Sequence, residues 1–571
     1  MPVPFINESV SAFLLSYADV ESAWYERYRP RAYTRASQAF RALGESADDL
    51  LAREGIDGLR RLPGVGASIA DEVAEFLREG RVAAYEVRRE GLPRGFDDLV
   101  ALEGMGGRLA RRLKEEAAIE TVADLARALD DGRRLPGVDS GKATALREAI
   151  RLAPLRRGSI PLPEARALAE AIRDALATVP GVEEIHVTGS VRRGKPLVGD
   201  LDFVARATDP RPVMRAFASL PVVRRVFSLG ATRTLVLLEN GVDADLVVAP
   251  EAGFGPALQY FTGALEHTVA LRERANRIGL EVANVSIAKG GVPIAAPDEA
   301  AFYRALGLRW MPPEIREYTG EIEAAERGTL PRLVERTDLR GDLVRVPLPE
   351  EGVTVPDFAR ESRALGLAWL AAVLTAAEWG PENASRFLDG IDAPERGEFG
   401  IAYGIEAAIL PDGSLDAPAA ALDRADFVVA ALPDDAAGGK SELTARVVEA
   451  LADPRVRVLA HPSGRRLSTR TEAGIDLRRV FEEARERGVL LEISGEPDRL
   501  DLDGPRVRLA RGVGARLILA SGARAPAEMR PNAREALVQA RRGWAGPRDI
   551  ASTGPLPFPR PPRAARIAQE G

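Results

Sequence analysis

The 571-residue chain contains no cysteine and only three histidines, His186, His267 and His461. The first absence excludes a disulfide framework, a thiol nucleophile, a thiolate zinc site and an iron–sulfur cluster; the second excludes a histidine-rich metal centre. Lysine occurs only at Lys114, Lys142, Lys195, Lys289 and Lys440, so the positive charge is almost all arginine. No apolar run reaches the ~20 residues a membrane helix needs; the longest, 364–377, ends at Glu378. The opening MPVPFINESV has neither the basic nor the apolar region of a signal peptide. A soluble, cytoplasmic protein with no membrane partner is expected. Its net charge of −7 does not advertise a polyanion partner.

What is present is an ordinary soluble composition, 46% hydrophobic and 29% charged. The length calls for several domains of roughly 100–200 residues. The first part, to about residue 155, reads as short amphipathic helices (36–43, 69–77, 109–117, 143–152) separated by glycine turns. From about residue 160 an α+β pattern begins, with a helix at 164–177 and strands at 185–187, 201–205, 235–238 and 246–249. An acidic helix at 321–327 leads to a linker near Arg336. Beyond it strands (427–431, 456–460, 489–493, 516–520) alternate with helices (442–451, 477–487), which predicts an α/β barrel or a doubly wound sheet. The tail 554–571 is proline-rich and expected to be disordered.

One short feature recurs: Leu62-Pro63-Gly64-Val65-Gly66, Leu102-Glu103-Gly104-Met105-Gly106 and Leu135-Pro136-Gly137-Val138-Asp139 each precede a helix. A glycine turn entering a helix leaves backbone N–H groups aimed outward at the positive end of the dipole, which suits a phosphate. Tandem units of this kind predict sequence-independent gripping of a nucleic-acid backbone, with Gly64, Gly66, Gly104 and Gly106 at the contacts. Residues 1–160 carry 25 basic against 26 acidic side chains. The local clusters Arg108/Arg111/Arg112/Lys114, Arg156/Arg157 and Arg192/Arg193/Lys195 can still neutralise several phosphates. Modest affinity with a shallow salt slope is expected.

The chemistry concentrates in Gly189-Ser190-Val191-Arg192-Arg193-Gly194-Lys195 and, just after it, Gly199-Asp200-Leu201-Asp202. Residues two apart on a strand share a face, so Asp200 and Asp202 present paired carboxylates. Hard oxygen ligands so placed suit Mg²⁺ bridging substrate phosphates. The glycine-serine turn can donate to a triphosphate, and Arg192 or Arg193 can neutralise it. Asp245, in a later strand, can complete a two-metal site. Asp243 lies two residues away, and spacing alone does not separate the two.

These segments resemble the family-X DNA polymerases of bacteria, and the resemblance covers nearly the whole chain. Gly-Ser-x-Arg-Arg-Gly with Gly-Asp-x-Asp is similar to that family's palm motif, and Gln259-Tyr260-Phe261-Thr262-Gly263 to its thumb motif. The resemblance implies that Asp200 and Asp202 bind both metals, Mg²⁺ or Mn²⁺, and that Asp245 binds the one beside the primer terminus. It implies that Gly189, Ser190, Arg193 and Gly199 touch the triphosphate. Tyr260, Phe261 and Gly263 would hold the deoxyribose and crowd out a 2′-hydroxyl, and Arg272 would reach the minor groove. Two positions depart from the pattern: Thr268 stands where the family often has asparagine, and Val247 where an arginine usually follows the third aspartate. Altered efficiency is expected, with the chemistry kept.

Relatives with deoxyribose-phosphate lyase activity carry a lysine in the helix after the first hairpin. Here that segment is Ser68-Ile69-Ala70-Asp71-Glu72-Val73-Ala74, and an amine nucleophile is missing. DNA binding without this lyase chemistry is expected. Residues 336–553 resemble the polymerase-and-histidinol-phosphatase (PHP) domain, a metal-dependent nuclease or phosphatase on an α/β barrel. The family's ligand positions fall on Val344, Val346, Leu374, Thr375, Pro433 and Gly522-Ala523-Arg524, leaving only Glu406 and His461. Two ligands do not build a catalytic site, so the domain is expected to be inactive.

The expected organisation is multidomain, α/β and α+β: a helix-hairpin-helix DNA-binding region of lyase type (1–90), a fingers-type helical domain (91–158), a nucleotidyltransferase palm (159–252), a thumb (253–332), a degenerate barrel-like PHP domain (336–553) and the tail. The expected function is DNA-directed DNA polymerisation in short-gap repair by a monomer, with gapped or primer-template DNA and dNTPs as partners. A non-catalytic DNA-binding scaffold and a PHP-dependent 3′–5′ exonuclease or phosphatase are the alternatives.

Overall fold

The computed structural model describes residues 6–24, 28–43, 45–102, 104–153, 158–389, 399–467 and 473–558. Glu103, Arg156, Arg157 and most of the proline-rich tail lie outside them. No described helix is long and apolar enough to cross a membrane.

Helices Ile6–Trp24 to Ser140–Leu152 form the N-terminal part. Their apolar stripes meet in one cluster from Val10 to Ala149, continuous across residue 90. Glycine turns set the helix directions: Gly64, Gly104 and Gly137 adopt φ of 78°, 83° and 73°, a left-handed conformation that costs glycine nothing. The first two hairpin helices, Ala67–Glu79 and Gly107–Ala117, begin at Gly66 and Gly106 with no side-chain cap. The third differs. The Asp139 carboxylate accepts from the Lys142 backbone N–H at 2.8 Å, so this helix start is closed by its own residue.

A five-stranded sheet follows, in the order Val182–Val187, Asp200–Ala207, Asp243–Val248, Arg233–Leu238, Val223–Leu229. Only the pair 200–207 with 243–248 is parallel. Helices Leu162–Ala177 and Pro210–Ala218 bury Ile172, Leu176, Val213 and Phe217 against Leu201, Phe203 and Leu246 from the sheet. The opposite face, near the N-terminal ends of the parallel pair, carries the aspartates. Helices Phe254–Thr262 and Leu265–Arg277 and a small three-stranded sheet at 281–294 then wrap toward this face.

The C-terminal part is a seven-stranded, all-parallel sheet: Gly341–Arg345, Trp369–Thr375, Gly400–Ala408, Phe427–Ala431, Val456–Ala460, Leu490–Ser494 and Leu517–Ala520, adjacent in sequence order. Uninterrupted apolar strands such as Trp369-Leu370-Ala371-Ala372-Val373 are what a sheet covered on both faces requires. Strict sequential order decides for a barrel over a doubly wound sheet. The barrel nearly closes: Gly522 N–H donates to Leu343 O (3.1 Å) and Arg345 N–H to Ala523 O (3.0 Å).

The parts are tied together by polar contacts. Gln38 and Arg35 of the N-terminal part reach Glu266 and Glu273 on helix Leu265–Arg277. Lys440 pairs with Asp49 at 2.7 Å and Arg478 with Glu45 at 2.9 Å, joining the same part to the barrel.

Candidate active site

The site is built on the parallel strand pair. Its register places Asp200 beside Asp243 and Asp202 beside Asp245, so period-2 alternation puts all four carboxylates on one face. They line a cavity of about 460 Å³ with Gly189, Ser190, Arg193, Arg233, Tyr260, Phe261, Gly263 and Thr268. The turn above them is set by sterics. Gly189 sits at φ 59°, and a Cβ there would lie 2.0 Å from Asp202 Oδ2, so only glycine lets the carboxylate pack beneath the chain. Ser190 Oγ is buried and without a hydrogen-bond partner, a donor waiting for an acceptor.

The electrostatics are strained. Burial, then the charges of Asp200 and Asp245, push the Asp202 carboxyl up to about 8. Asp200 is also raised, by burial and by Asp245, against the opposing Arg193. Asp245 is the acid whose charge both of them feel. Asp243 lines the same cavity and shares the same face. A cationic counter-charge is already present at Asp245: Arg233, from the neighbouring strand, donates to both of its oxygens at 2.6–3.2 Å. Arg233 is the direct cross-strand partner of Val247. The positive charge missing after the third aspartate is therefore supplied from the next strand. Its side chain is 64% exposed, so it is free to move away. Among the described residues no three His, Asp or Glu side chains form a ready-made metal cage.

Sequence reading placed Arg193 on a triphosphate. In the structure it lines the cavity but is almost buried: its Nε donates to Glu317 (3.0 Å) and its Nη1 to Thr262 O (2.6 Å). Gly199 precedes Asp200 but does not line the cavity. Arg272 does not reach it either. Arg272 donates to Asn284 Oδ1 at 2.7 Å and lies over the Tyr260 ring, 5.0 Å from its centroid. Tyr260 and Phe261 contact edge to face at 4.9 Å. Thr268, the residue in place of the family's asparagine, accepts from the buried Gln259 amide at 3.2 Å.

The adjacent Arg192 faces away, into an ion triad that sequence reading missed. Glu299 accepts from Arg192 at 2.9 and 3.0 Å and from the fully buried Arg316 at 2.5 Å. Burial alone would raise Glu299, yet Arg316 and Arg192 outweigh it and hold its carboxyl at about 2. Because this value lies below the ordinary 4.5, the triad's contribution is complete above pH 4.5 and fades as pH falls toward 2. It is worth about 3 kcal/mol. Glu299→Gln should therefore lower the thermal midpoint at pH 7, and the gap to the wild type should narrow steadily between pH 4.5 and 2.5. A gap independent of pH would show that Glu299 is not held ionised by the arginines.

The sequence comparisons fit this architecture. Residues 257–317 match the DNA polymerase beta thumb, and residues 96–153 match the SAM-like helix-hairpin-helix tandem. DNA polymerase/3′-5′ exonuclease PolX of Bacillus subtilis (strain 168) is 27% identical over 521 residues, 88% of this chain and 90% of its own. DNA polymerase lambda of Rattus norvegicus is 24% identical over 288 residues, 45% of this chain and 48% of its own. The chain belongs to the family-X DNA polymerases.

In this family-X chain the barrel's C-terminal mouth carries a second buried charge cluster. Arg345, at the end of the first strand, pairs with Glu406 (2.7 Å), Glu492 (3.3 Å) and Glu496 (2.9 Å). Glu492, fully buried, also accepts from the His461 backbone N–H at 2.7 Å. Burial, then the cations Arg499, Arg345 and Arg466, hold the His461 imidazole well below its ordinary value, and so neutral. Val344, Val346, Leu374 and Ala523 are buried in the barrel's apolar cluster. Of this cluster, Arg345, Glu492 and Glu496 escaped the sequence reading.

In the N-terminal part, Glu72 lies in the helix after the first hairpin and is nearly buried, accepting from Tyr33 Oη at 2.7 Å. A carboxylate and a phenol occupy this spot, and neither is an amine nucleophile.

Proposed function

We propose that this family-X polymerase fills short gaps in DNA, adding templated deoxynucleotides to a primer 3′ end through Asp200, Asp202 and Asp245. The observation that carries the reading is one cavity in which three aspartates repel each other beside a serine hydroxyl with no partner. Such a donor set fits Mg²⁺ or Mn²⁺, which when bound would polarise the 3′-hydroxyl and offset the charge of the leaving pyrophosphate. Asp200 and Asp202 would hold the cation from one strand, and Asp245 would join them once the exposed Arg233 side chain moves away. Ser190 Oγ donates to a phosphate oxygen. Gly189 keeps the turn close to Asp202. Tyr260, Phe261 and Gly263 form the wall against which the sugar packs, and Arg272 exchanges Asn284 for the minor-groove edge of the new pair.

The uncapped helix starts at Gly66 and Gly106 supply backbone N–H groups to phosphates on either side of the gap. Gly64 and Gly104 make their turns possible. The hairpin ending at Asp139 is left out of this role, because its own carboxylate occupies the helix start. The protein is read as a cytoplasmic monomer in DNA repair.

The C-terminal module is read as a PHP-type barrel without hydrolytic activity. Its donor set does not fit a metal cluster: a guanidinium sits among the carboxylates that remain, Val344, Val346 and Leu374 are buried apolar side chains, and Arg524 is paired with Glu378. A cation bound covalently to the chain has replaced any need for an external one.

Sugar selection tests the orientation of substrate in the cavity. Tyr260→Ala should raise ribonucleotide incorporation relative to deoxyribonucleotide by about tenfold or more, measured as the ratio of kcat/KM values on gapped DNA. An unchanged ratio would place the sugar elsewhere.

A further inference from the structure

The turn that bears Ser190 is held from behind by the C-terminal module. Helix Pro526–Arg542 packs against it so closely that a Cβ at Gly194 would lie 2.0 Å from Val538 Cγ1. The cores merge there too: Leu500 is fully buried in the palm's apolar cluster, with Val538 and Leu467 against it. Two side chains of this helix contact main-chain carbonyls of the turn. Gln539 Nε2 donates to Gly194 O at 2.9 Å, and Arg542 Nη1 donates to Arg193 O at 2.7 Å.

Peptide planarity makes these contacts informative. The carbonyl of Gly194 and the N–H of Lys195 belong to one rigid unit, and that N–H donates to Ser190 O at 3.0 Å. The carbonyl of Arg193 and the N–H of Gly194 form the next unit, and that N–H donates to Val191 O at 3.0 Å. Each unit thus bridges a side chain of the barrel module to the segment carrying Ser190. Arg542 also pairs with Glu317 at 3.2 Å, the carboxylate that orients Arg193 (3.0 Å) and meets Lys195 (3.7 Å). Burial would raise Glu317, but Lys195, Arg193 and Arg542 hold it well below its usual range.

We infer that Gln539 and Arg542 are positioning residues for the nucleotide triphosphate, so that the barrel serves the polymerase as a brace for its phosphate-binding turn. This inference rests on the polymerase reading above. The brace sets where the Ser190 hydroxyl and the turn's backbone point before substrate arrives, which lowers the ordering cost of binding. It touches no reacting atom. Its loss falls on dNTP binding more than on the chemical step.

The test uses the full-length protein and steady-state addition of one dNTP to a one-nucleotide gap. Arg542→Ala and Gln539→Met should each raise the dNTP KM by about fivefold or more, with kcat changed less than about threefold. Arg542→Lys, which keeps one donor, should recover part of the loss. Arg534→Ala breaks the Arg534–Glu170 pair (2.9 Å) in the same interface without touching the turn, and should leave the dNTP KM as in the wild type. Equal KM values for Gln539→Met and wild type, in proteins of equal thermal midpoint, would overturn the inference. So would a KM rise for Arg534→Ala as large as that for Arg542→Ala, since docking alone would then explain the effect. Failure of the wild type to add any templated nucleotide would overturn the polymerase reading instead.

Discussion

Asp202→Asn is expected to lower single-turnover nucleotide addition by at least about 10³-fold, some 4 kcal/mol of barrier, while the protein's thermal midpoint stays level or rises. The two outcomes have one cause. Asp202 is half-buried and lies beside Asp200 and Asp245, and its ionised form is disfavoured until a cation enters. Ordering such a group works against folding; removing its charge relieves the strain and disables the site, a stability–activity trade-off. Asparagine keeps the shape that Gly189 packs against, so no cavity confuses the comparison. Activity within tenfold of wild type would remove Asp202 from the chemistry. A large drop in thermal midpoint would contradict the electrostatic account.

The second large effect lies far from the palm. Arg345→Met should destabilise the C-terminal barrel by about 3–5 kcal/mol, because the fully buried Glu492 and the half-buried Glu406 and Glu496 would be left around an apolar side chain. With no cation left to offset these charges, the variant should gain more stability than the wild type as pH is lowered. The triple variant Arg345→Met/Glu406→Gln/Glu492→Met should recover most of the loss, since the carboxylate it leaves, Glu496, keeps Arg499 at 3.4 Å and removing the other charges together is often neutral. Chelator should leave the wild-type barrel transition unmoved. Differential scanning calorimetry reads all three proteins. A midpoint for Arg345→Met equal to wild type, or one restored by Mn²⁺, would show that the guanidinium is not the structural cation of the barrel.

The palm motif was legible in the sequence because it is local. Gly189 to Asp202 spans one turn and the start of one strand, and alternation alone places Asp200 and Asp202 together. Helices 321–327 and 477–487 lie within unbroken amphipathic periods and appear at those residues in the structure. The contacts that were missed are those created by topology. Arg233 meets Asp245 only through the register of two antiparallel strands. Arg345 and Glu492 are 147 residues apart and meet because sequential parallel strands bring their C-terminal ends to one mouth. Arg542 reaches the palm from the far end of the chain. Asp139 was a signal in plain view: an aspartate at a helix start caps that helix, which is why the third hairpin differs from the first two. Strand order, which separates a barrel from a doubly wound sheet, has no local signature at all.

The most direct test of the account is a one-nucleotide gap with a 5′-phosphate, incubated with each dNTP singly, in Mg²⁺ or Mn²⁺, and again without dNTP. Addition of the complementary nucleotide only is expected, dependent on the metal, with no shortening of the primer in the lanes without dNTP. Absence of addition under either metal, or primer shortening that persists in Asp202→Asn, would contradict it.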